Sequence, residues 1–145
     1  MKNCSRRNGV RPVGREAQLA VLGMGSSSGA TLGELITLAG AVLSQCGLRR
    51  PDMIATLASK ASDSIWAELA AHYDCALRFF EARRLEEETP RLANPSEAVF
   101  KRIGCHGVAE AAALAGAGPT AKLVVHKTGV PRATAALAVA GQENR

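Results

Sequence analysis

Aromatic residues are scarce in this sequence, and no long apolar run is present. Phe, Trp and Tyr together make up 3% of the 145 residues. A chain so rich in Ala, Leu and Val suits helices that pack closely on a sheet. No apolar run is long enough to span a bilayer, and residues 1–15 lack the apolar stretch of a secretory signal. An Arg-rich start also fits an organelle transit segment, but we favour a solvated tail on a cytoplasmic protein without a membrane partner.

Paired metal-ligand motifs are also missing. The cysteines lie far apart and none forms a C-x-x-C pair, so neither a zinc site nor a redox motif is indicated. Reduced thiols in the cytoplasm are the simplest interpretation. The histidines are equally scattered, and we predict no metal and no other cofactor. The residues concerned are Cys4, Cys46, Cys75, Cys105, His72, His106 and His126.

Acidic residues are absent from the first 15 positions, where five basic residues lie. This segment accounts for the whole formal net charge of +5, and the rest of the chain has 13 residues of each sign. Residues 1–15 lack hydrophobic periodicity, which predicts a disordered basic tail ahead of one domain over residues 16–145. A neutral domain does not favour a basic surface, so we expect no nucleic-acid partner.

Apolar periodicity and turn residues predict alternating strands and helices along the chain. The predicted strands span residues 19–23, 53–58, 76–80, 123–127 and 133–140. The predicted helices span residues 31–46, 63–71, 97–103 and 108–116, with a helical turn at 83–88. The fold class is therefore α/β: a single layered domain with a mixed β-sheet, helices on both faces and a C-terminal β-hairpin. Ligands of such sheets bind at the carboxyl ends of the strands.

A turn rich in glycine and serine joins the first strand to the first helix, at residues 25–31. A helix start offers unpaired N–H groups and a positive dipole end, and glycine lets the backbone approach a ligand closely. The turn is one residue longer than the dinucleotide fingerprint and lacks the lysine of a P-loop, since Ala30 follows its last glycine. The alternative is an ordinary capped connection. The candidate anion-binding residues are Gly25, Ser26, Ser27, Ser28, Gly29 and Thr31.

The same turn also fits the G-x-S-x-G nucleophile elbow, with Ser27 as the nucleophile. An aspartate and then a histidine would have to follow in the chain, and both residue types do. However, the chain is short for a hydrolase of that fold and has no glycine-rich oxyanion segment. A serine hydrolase is therefore a remote alternative. The triad candidates are Asp52, Asp63, Asp74, His106 and His126.

Several short motifs follow one another along the chain: Gly29-x-Thr31, Ala58-Ser59-Lys60, Asn94-Pro95-Ser96, Gly104-x-x-Gly107-Val108-Ala109-Glu110-Ala111-Ala112-Ala113 and Lys127. Their order resembles the CobE family, which is homologous to the C-terminal domain of the cobalt-precorrin hydrolase CbiG. The resemblance covers roughly residues 19–140. The family often has two arginines in the turn where this chain has serines.

The resemblance implies a cobalamin-biosynthesis protein that binds a precorrin or corrin intermediate as an accessory or carrier protein. Such macrocycles are flat, largely apolar and rimmed with carboxylates, for which Lys60 and Lys127 would supply ammonium groups. Other enzymes of the same pathway are implied as partners.

The alternative is a lactone hydrolase that releases acetaldehyde, as the larger relative is. That relative has an N-terminal region without a counterpart in this sequence, so its activity is not simply carried over. We favour binding because no strong nucleophile, metal set or close carboxylate pair is visible in the sequence. Glu110 is another candidate near the ligand, where it would transfer a proton. We favour the interpretation that Glu110 is an acidic residue at a helix start that only stabilises the structure.

Overall fold

The computed structural model describes residues 19–141, which contain five strands and five helices. The predicted basic tail, residues 1–15, lies outside this range. Two short 3₁₀ turns, Ala58–Lys60 and Thr89–Arg91, connect neighbouring elements. In chain order the elements are β1 Leu19–Ser26, α1 Leu32–Ser44, β2 Met53–Leu57, α2 Ile65–Tyr73, β3 Ala76–Phe80, α3 Ala82–Glu86, α4 Glu97–Ile103, α5 Ala109–Ala117, β4 Lys122–Val130 and β5 Ala133–Ala140.

The strands form one mixed sheet in the order β3-β2-β1-β5-β4. β1, β2 and β3 are mutually parallel, whereas β5 runs antiparallel to both β1 and β4. The predicted mixed sheet and C-terminal hairpin are therefore confirmed. β1 and β4 are longer than predicted, because β5 pairs along their full lengths, as between Ser26 and Ala133.

Helices cover both faces of the sheet, as predicted. One core lies between the sheet and helices α1 and α2, around the fully buried Leu22, Leu35 and Trp66. The other lies between the opposite face and helices α3 and α5, around Val21 and Leu114. Alternate residues of β1 enter the two cores, as the two-residue period of a strand requires.

Helix α5 lies unusually close to β1, because small residues face each other across the contact. A Cβ atom at Gly23 would come within 2.0 Å of the Ala109 carbonyl oxygen and 2.4 Å of the Ala113 nitrogen. A Cβ atom at Gly116 would lie 2.8 Å from a methyl group of Val21. The glycines thus set the distance of α5 from the sheet, and its first residues reach the end of β1.

Candidate functional site

A cleft of about 770 Å³ opens at the carboxyl ends of the parallel strands, within the range typical of ligand pockets. Residues 25–28, at the end of β1 and just beyond it, and residues 56–60, at the end of β2 and in the 3₁₀ turn that follows, form one wall. Glu81 and Ala82 after β3, part of α4, and residues 107–108 ahead of α5 form further walls. The β4–β5 hairpin closes the remaining side through Lys127 and residues 130–134. The cleft thus lies where the sequence predicted a ligand site.

Basic side chains dominate the charge of this cleft. Lys60, Arg102, Lys127 and Arg132 line it, against a single acid, Glu81. Within residues 19–141, no acidic side chain forms an ion pair with Lys60, Arg102 or Lys127. Both predicted lysines therefore line the cleft with their charges available to a ligand.

The two arginines of the cleft were not predicted. Arg102 comes from the last turn of α4, and Arg132 comes from the tight turn between β4 and β5. Neither lies beside the glycine-serine turn in sequence, and only the tertiary fold brings them to it. They supply guanidinium groups to a site whose turn carries serines, and the Arg132 Nε also lies 3.7 Å from the Glu34 carboxylate.

The glycine-serine turn lies against the hairpin. The Ser27 N–H donates to the Arg132 carbonyl at 3.0 Å, and the Arg132 Nη1 donates to the Gly29 carbonyl at 2.9 Å. Among the described residues, nothing accepts from the backbone N–H groups of Ser28 and Gly29. Gly25 has little room for a side chain, because a Cβ there would lie 3.2 Å from both Thr134 and Val108. The turn is thus fixed, with Ser26, Ser27 and Ser28 lining the cleft.

Two backbone N–H groups at the start of α1, where the sequence predicted an anion site, are satisfied by side chains of this turn. The Thr31 Oγ1 accepts from the Glu34 N–H at 3.1 Å, and the Glu34 carboxylate accepts from the Thr31 N–H at 2.9 Å. This is a capping box, which the Thr-x-x-Glu spacing could have indicated. Gly29 and Thr31 do not line the cleft.

Glu110 is buried beneath the cleft and does not line it, with 2% of its surface exposed. Its Oε1 accepts from the backbone N–H groups of Ala93 and Asn94, and its Oε2 accepts from the Asn94 side chain and the Lys127 N–H, all at 2.9 Å. Burial by itself raises the pKa of Glu110, but these hydrogen bonds outweigh it and hold the pKa below its ordinary value. Four donors occupy the carboxylate, which favours the structural role over proton transfer.

The neighbours of Ser27 do not complete a catalytic triad. Neither a histidine nor a cysteine lines the cleft within the part of the chain that the structure describes. The ring nitrogens of His106 face Glu86 and Glu97, and Asp52 accepts from the Ala20 N–H at 2.8 Å. The arrangement therefore gives the Ser27 hydroxyl no general base.

Residues 19–141 also contain no group of three His, Cys, Asp or Glu side chains suited to a metal ion. None of the helices in this range is both long and apolar enough to cross a membrane. Cys46, Cys75 and Cys105 are free thiols, and burial raises the pKa of each. For Cys75 the pKa rises to about 11.

The fold and the cleft define a class: small α/β proteins with a mixed sheet and a basic cleft at the ends of its parallel strands. Residues 20–138 match the family model described as "Cobalamin synthesis G C-terminus". The chain belongs to this family of cobalamin biosynthesis proteins, which confirms the resemblance found in the sequence.

Curated and solved relatives agree with this assignment. The chain is 44% identical over 120 residues to Protein CobE of Sinorhizobium sp., covering 81% of this chain and 78% of that protein. Its structure is similar to that of CobE, a protein from the cobalamin (vitamin B12) biosynthetic pathway, with a TM-score of 0.77 and 32% identity over 84% of this chain and 93% of that one.

Two further structures share the fold. The cobalamin biosynthesis protein chiG from Agrobacterium tumefaciens str. C58 has a TM-score of 0.64 and 31% identity, covering 83% of this chain and 97% of that one. A cobalamin biosynthesis protein G homolog from Sulfolobus solfataricus has a TM-score of 0.66 and 23% identity, over 83% of this chain. The match spans 36% of that longer chain, so the fold also occurs as part of a larger protein.

Proposed function

We propose that this protein binds a carboxylate-bearing precorrin or corrin intermediate in the cleft, as an accessory or carrier protein of cobalamin biosynthesis. The observation that carries the proposal is the convergence of Lys60, Arg102, Lys127 and Arg132 on one cleft. Charged hydrogen bonds from such groups to carboxylates are stronger than neutral ones. An acidic ligand would provide ion-pair partners for Lys60, Arg102 and Lys127, which form no ion pair within residues 19–141.

The uncharged part of the cleft supports the same ligand class. Apolar side chains line the cleft together with the basic ones, and a corrin ring is a flat apolar surface with acidic groups at its rim. Burying that surface is favourable at about 25 cal/mol per Å². The apolar side chains of the lining include Leu57, Val99, Ile103, Val108 and Val130.

Binding without turnover agrees best with the groups that line the cleft. Glu81 is the single carboxylate found there, without the paired acid, histidine or thiol that general acid-base or nucleophilic chemistry would use. Incubation with a lactone-bearing precorrin tests this point, and we expect no acetaldehyde. Catalytic release of acetaldehyde would contradict the carrier role and support the hydrolase alternative.

The direct test is a spectroscopic titration with dicyanocobyrinic acid, a coloured corrinoid with free peripheral carboxylates. Its methyl ester is the matched ligand, with the same ring and no negative rim. We expect the acid to bind and the ester to bind far more weakly. Equal affinities for acid and ester would contradict recognition of the carboxylates.

The lysines of the cleft give the matching protein test. Lys60→Ala and Lys127→Ala should each weaken binding of the acid by about 1–3 kcal/mol, the range for charged hydrogen bonds. Lys122→Ala is the control, since Lys122 lies on the same strand as Lys127 but outside the cleft. Unchanged affinity in both cleft variants, or an equal loss in the control, would contradict the proposed site.

We place this role in the cytoplasm, in association with other cobalamin-pathway enzymes. The free thiols of the described residues fit a reducing compartment. A carrier has to pass its ligand on, so co-purification with a pathway enzyme in the presence of the corrinoid would support the association. If the Lys127→Ala variant no longer co-purifies with that enzyme, the association depends on the corrinoid bound in the cleft.

A further inference from the structure

Helix α4 forms one wall of the cleft but has few connections to the rest of the molecule. None of its residues is buried, although Val99, Arg102 and Ile103 line the cleft. The Ser96 hydroxyl caps the helix by accepting from the Val99 N–H at 3.2 Å. The Ser96 N–H in turn donates to the His106 carbonyl at 2.7 Å. Ile103 packs against the core that contains Leu114, and the polar contacts that position the helix lie at its junction with His106.

The imidazole ring of His106 connects α4 to α3. Its Nδ1 lies 2.9 Å from both carboxylate oxygens of Glu86 in α3, and its Nε2 lies 3.3 Å from the Glu97 Oε2 in α4. The ring also stacks on Phe100 of α4, with centroids 4.4 Å apart. The His106 N–H donates to Glu86 as well, at 2.9 Å. One ring thus touches both helices, and we call this arrangement the His106 bridge.

We propose that His106 is a positioning residue of the cleft: its protonated ring bridges Glu86 and Glu97 and so holds Arg102 of α4 where a ligand carboxylate binds. The inference rests on the proposed function, because it assigns Arg102 to carboxylate recognition. His106 itself does not line the cleft. Its effect on the ligand is therefore transmitted through α4.

The bridge depends on pH because only the protonated ring donates from both nitrogens. The hydrogen bond to Glu86 raises the pKa of His106 most, burial opposes it, and Glu97 adds a smaller rise. These two carboxylates, from α3 and α4, are the charged groups facing the ring. The adjacent Cys105 thiol stays neutral because burial raises its pKa.

Deprotonation should release α4 rather than α3. Glu86 engages Nδ1 through both oxygens at a short distance, whereas the Glu97 side chain is 81% exposed and its contact is longer. The proton therefore leaves Nε2 for water, and Glu97 loses its donor. Because the pKa of His106 is raised, the bridge is complete at low pH and is lost as pH rises through that raised pKa.

A pH series with dicyanocobyrinic acid tests the bridge. Its affinity for the wild-type protein should fall several-fold from about pH 6 to about pH 9, while ligand carboxylates stay ionised. Glu97→Ala leaves the ring without a partner at Nε2 and should show the weaker affinity at every pH. Glu87→Ala, a matched change at an exposed acid that does not contact His106, should keep the wild-type profile. Identical profiles for the wild type and Glu97→Ala would overturn the proposal.

A double-mutant comparison tests whether His106 acts through Arg102. At about pH 6, Arg102→Ala should weaken binding about tenfold, as expected for one charged hydrogen bond. Adding Glu97→Ala to that variant should cause no further loss. Independent losses that multiply in the double variant would contradict transmission through Arg102.

A ligand-free measurement separates this inference from the proposed function. Trypsin cleaves after Lys101 and Arg102 in α4, so its rate at about pH 6, where the bridge is complete, reports how firmly the helix is held. We expect several-fold faster cleavage in Glu97→Ala than in the wild type or Glu87→Ala. Equal rates would contradict the bridge, whereas a wild-type protein that fails to bind the corrinoid at about pH 6 would contradict the proposed function.

Discussion

At the scale of single residues, Glu110 shows how one buried carboxylate arranges the edge of the cleft. It fastens the segment ahead of α4 through Ala93 and Asn94, and the irregular part of β4 through Lys127. The register of β4 shifts on both sides of Val125, just before Lys127. The carboxylate thus fixes the backbone from which the Lys127 side chain extends towards the cleft.

Glu110→Gln should destabilise the protein by about 1–3 kcal/mol, the cost of leaving buried polar groups without partners. Each carboxylate oxygen accepts from two N–H donors, so either orientation of the amide places its NH₂ group against two of them. Urea denaturation measures the change, with the exposed Glu68→Gln as control. A variant as stable as the wild type would contradict the structural role of this carboxylate.

The destabilisation by Glu110→Gln should also depend on pH. The folded-state pKa of Glu110 lies below the ordinary 4.5, so its ionised form stabilises the fold above that value. This contribution is lost as pH falls through the folded-state pKa. The stability difference between wild type and variant should therefore shrink in acid, and a difference that grows there would contradict the assignment.

The serine hydroxyls of the turn should matter less than its glycine. Ser27→Ala removes a hydroxyl without a base beside it, so corrinoid affinity should change by less than about 1 kcal/mol. Gly25→Val should weaken binding much more, because its side chain would meet Thr134 and Val108 at 3.2 Å or closer. Covalent labelling of Ser27 by a fluorophosphonate would instead support a hydrolase.

At the scale of elements, local pattern predicted every helix and strand but not every end. β3 was predicted over residues 76–80 and has those bounds. α1 is one residue shorter at its start than predicted, because Thr31 serves as the cap. Strand ends were missed where pairing with a distant partner decides them, since a single sequence does not specify which strand will be the neighbour.

The contact between α5 and β1 gives a prediction for Gly23→Ala. The added methyl group would collide with backbone atoms of α5, so the variant should lose at least about 2 kcal/mol. Gly40→Ala in α1 is the matched control, because a Cβ there meets nothing within 4 Å. Alanine favours helices, so the control should gain up to about 1 kcal/mol. Similar urea midpoints for both variants would contradict the close packing.

At the scale of the whole molecule, the balanced charge of residues 16–145 conceals an uneven distribution of basic side chains. The sequence count placed all the excess charge in residues 1–15 and gave no support for a basic surface on the domain. The structure nevertheless gathers four basic side chains around one cleft with one acid. The net charge of a sequence does not show where the fold places its charged side chains. For the same reason, the sequence alone did not identify Arg102 and Arg132 as residues of the cleft.

Salt should therefore affect binding and stability differently. Attraction between the cleft and an acidic corrinoid is screened as ionic strength rises, so affinity for dicyanocobyrinic acid should fall steadily with added NaCl. The melting temperature should change little, because exposed ion pairs contribute about 0–1 kcal/mol each. Affinity that does not respond to salt would show that apolar contacts dominate recognition.

The small-residue contact of α5 also has a consequence for how this sequence can change over evolutionary time. Most residues of α5 are buried alanines, and each buries little apolar area by itself. Nearly any replacement adds atoms where the neighbouring strand leaves no space. In a library of all single substitutions, α5 should then stand out as a block of intolerant positions, although its side chains are among the smallest in the protein. Variation should accumulate instead at exposed positions of α4 that neither line the cleft nor contact His106, such as Ala98 and Lys101, while the framework stays fixed.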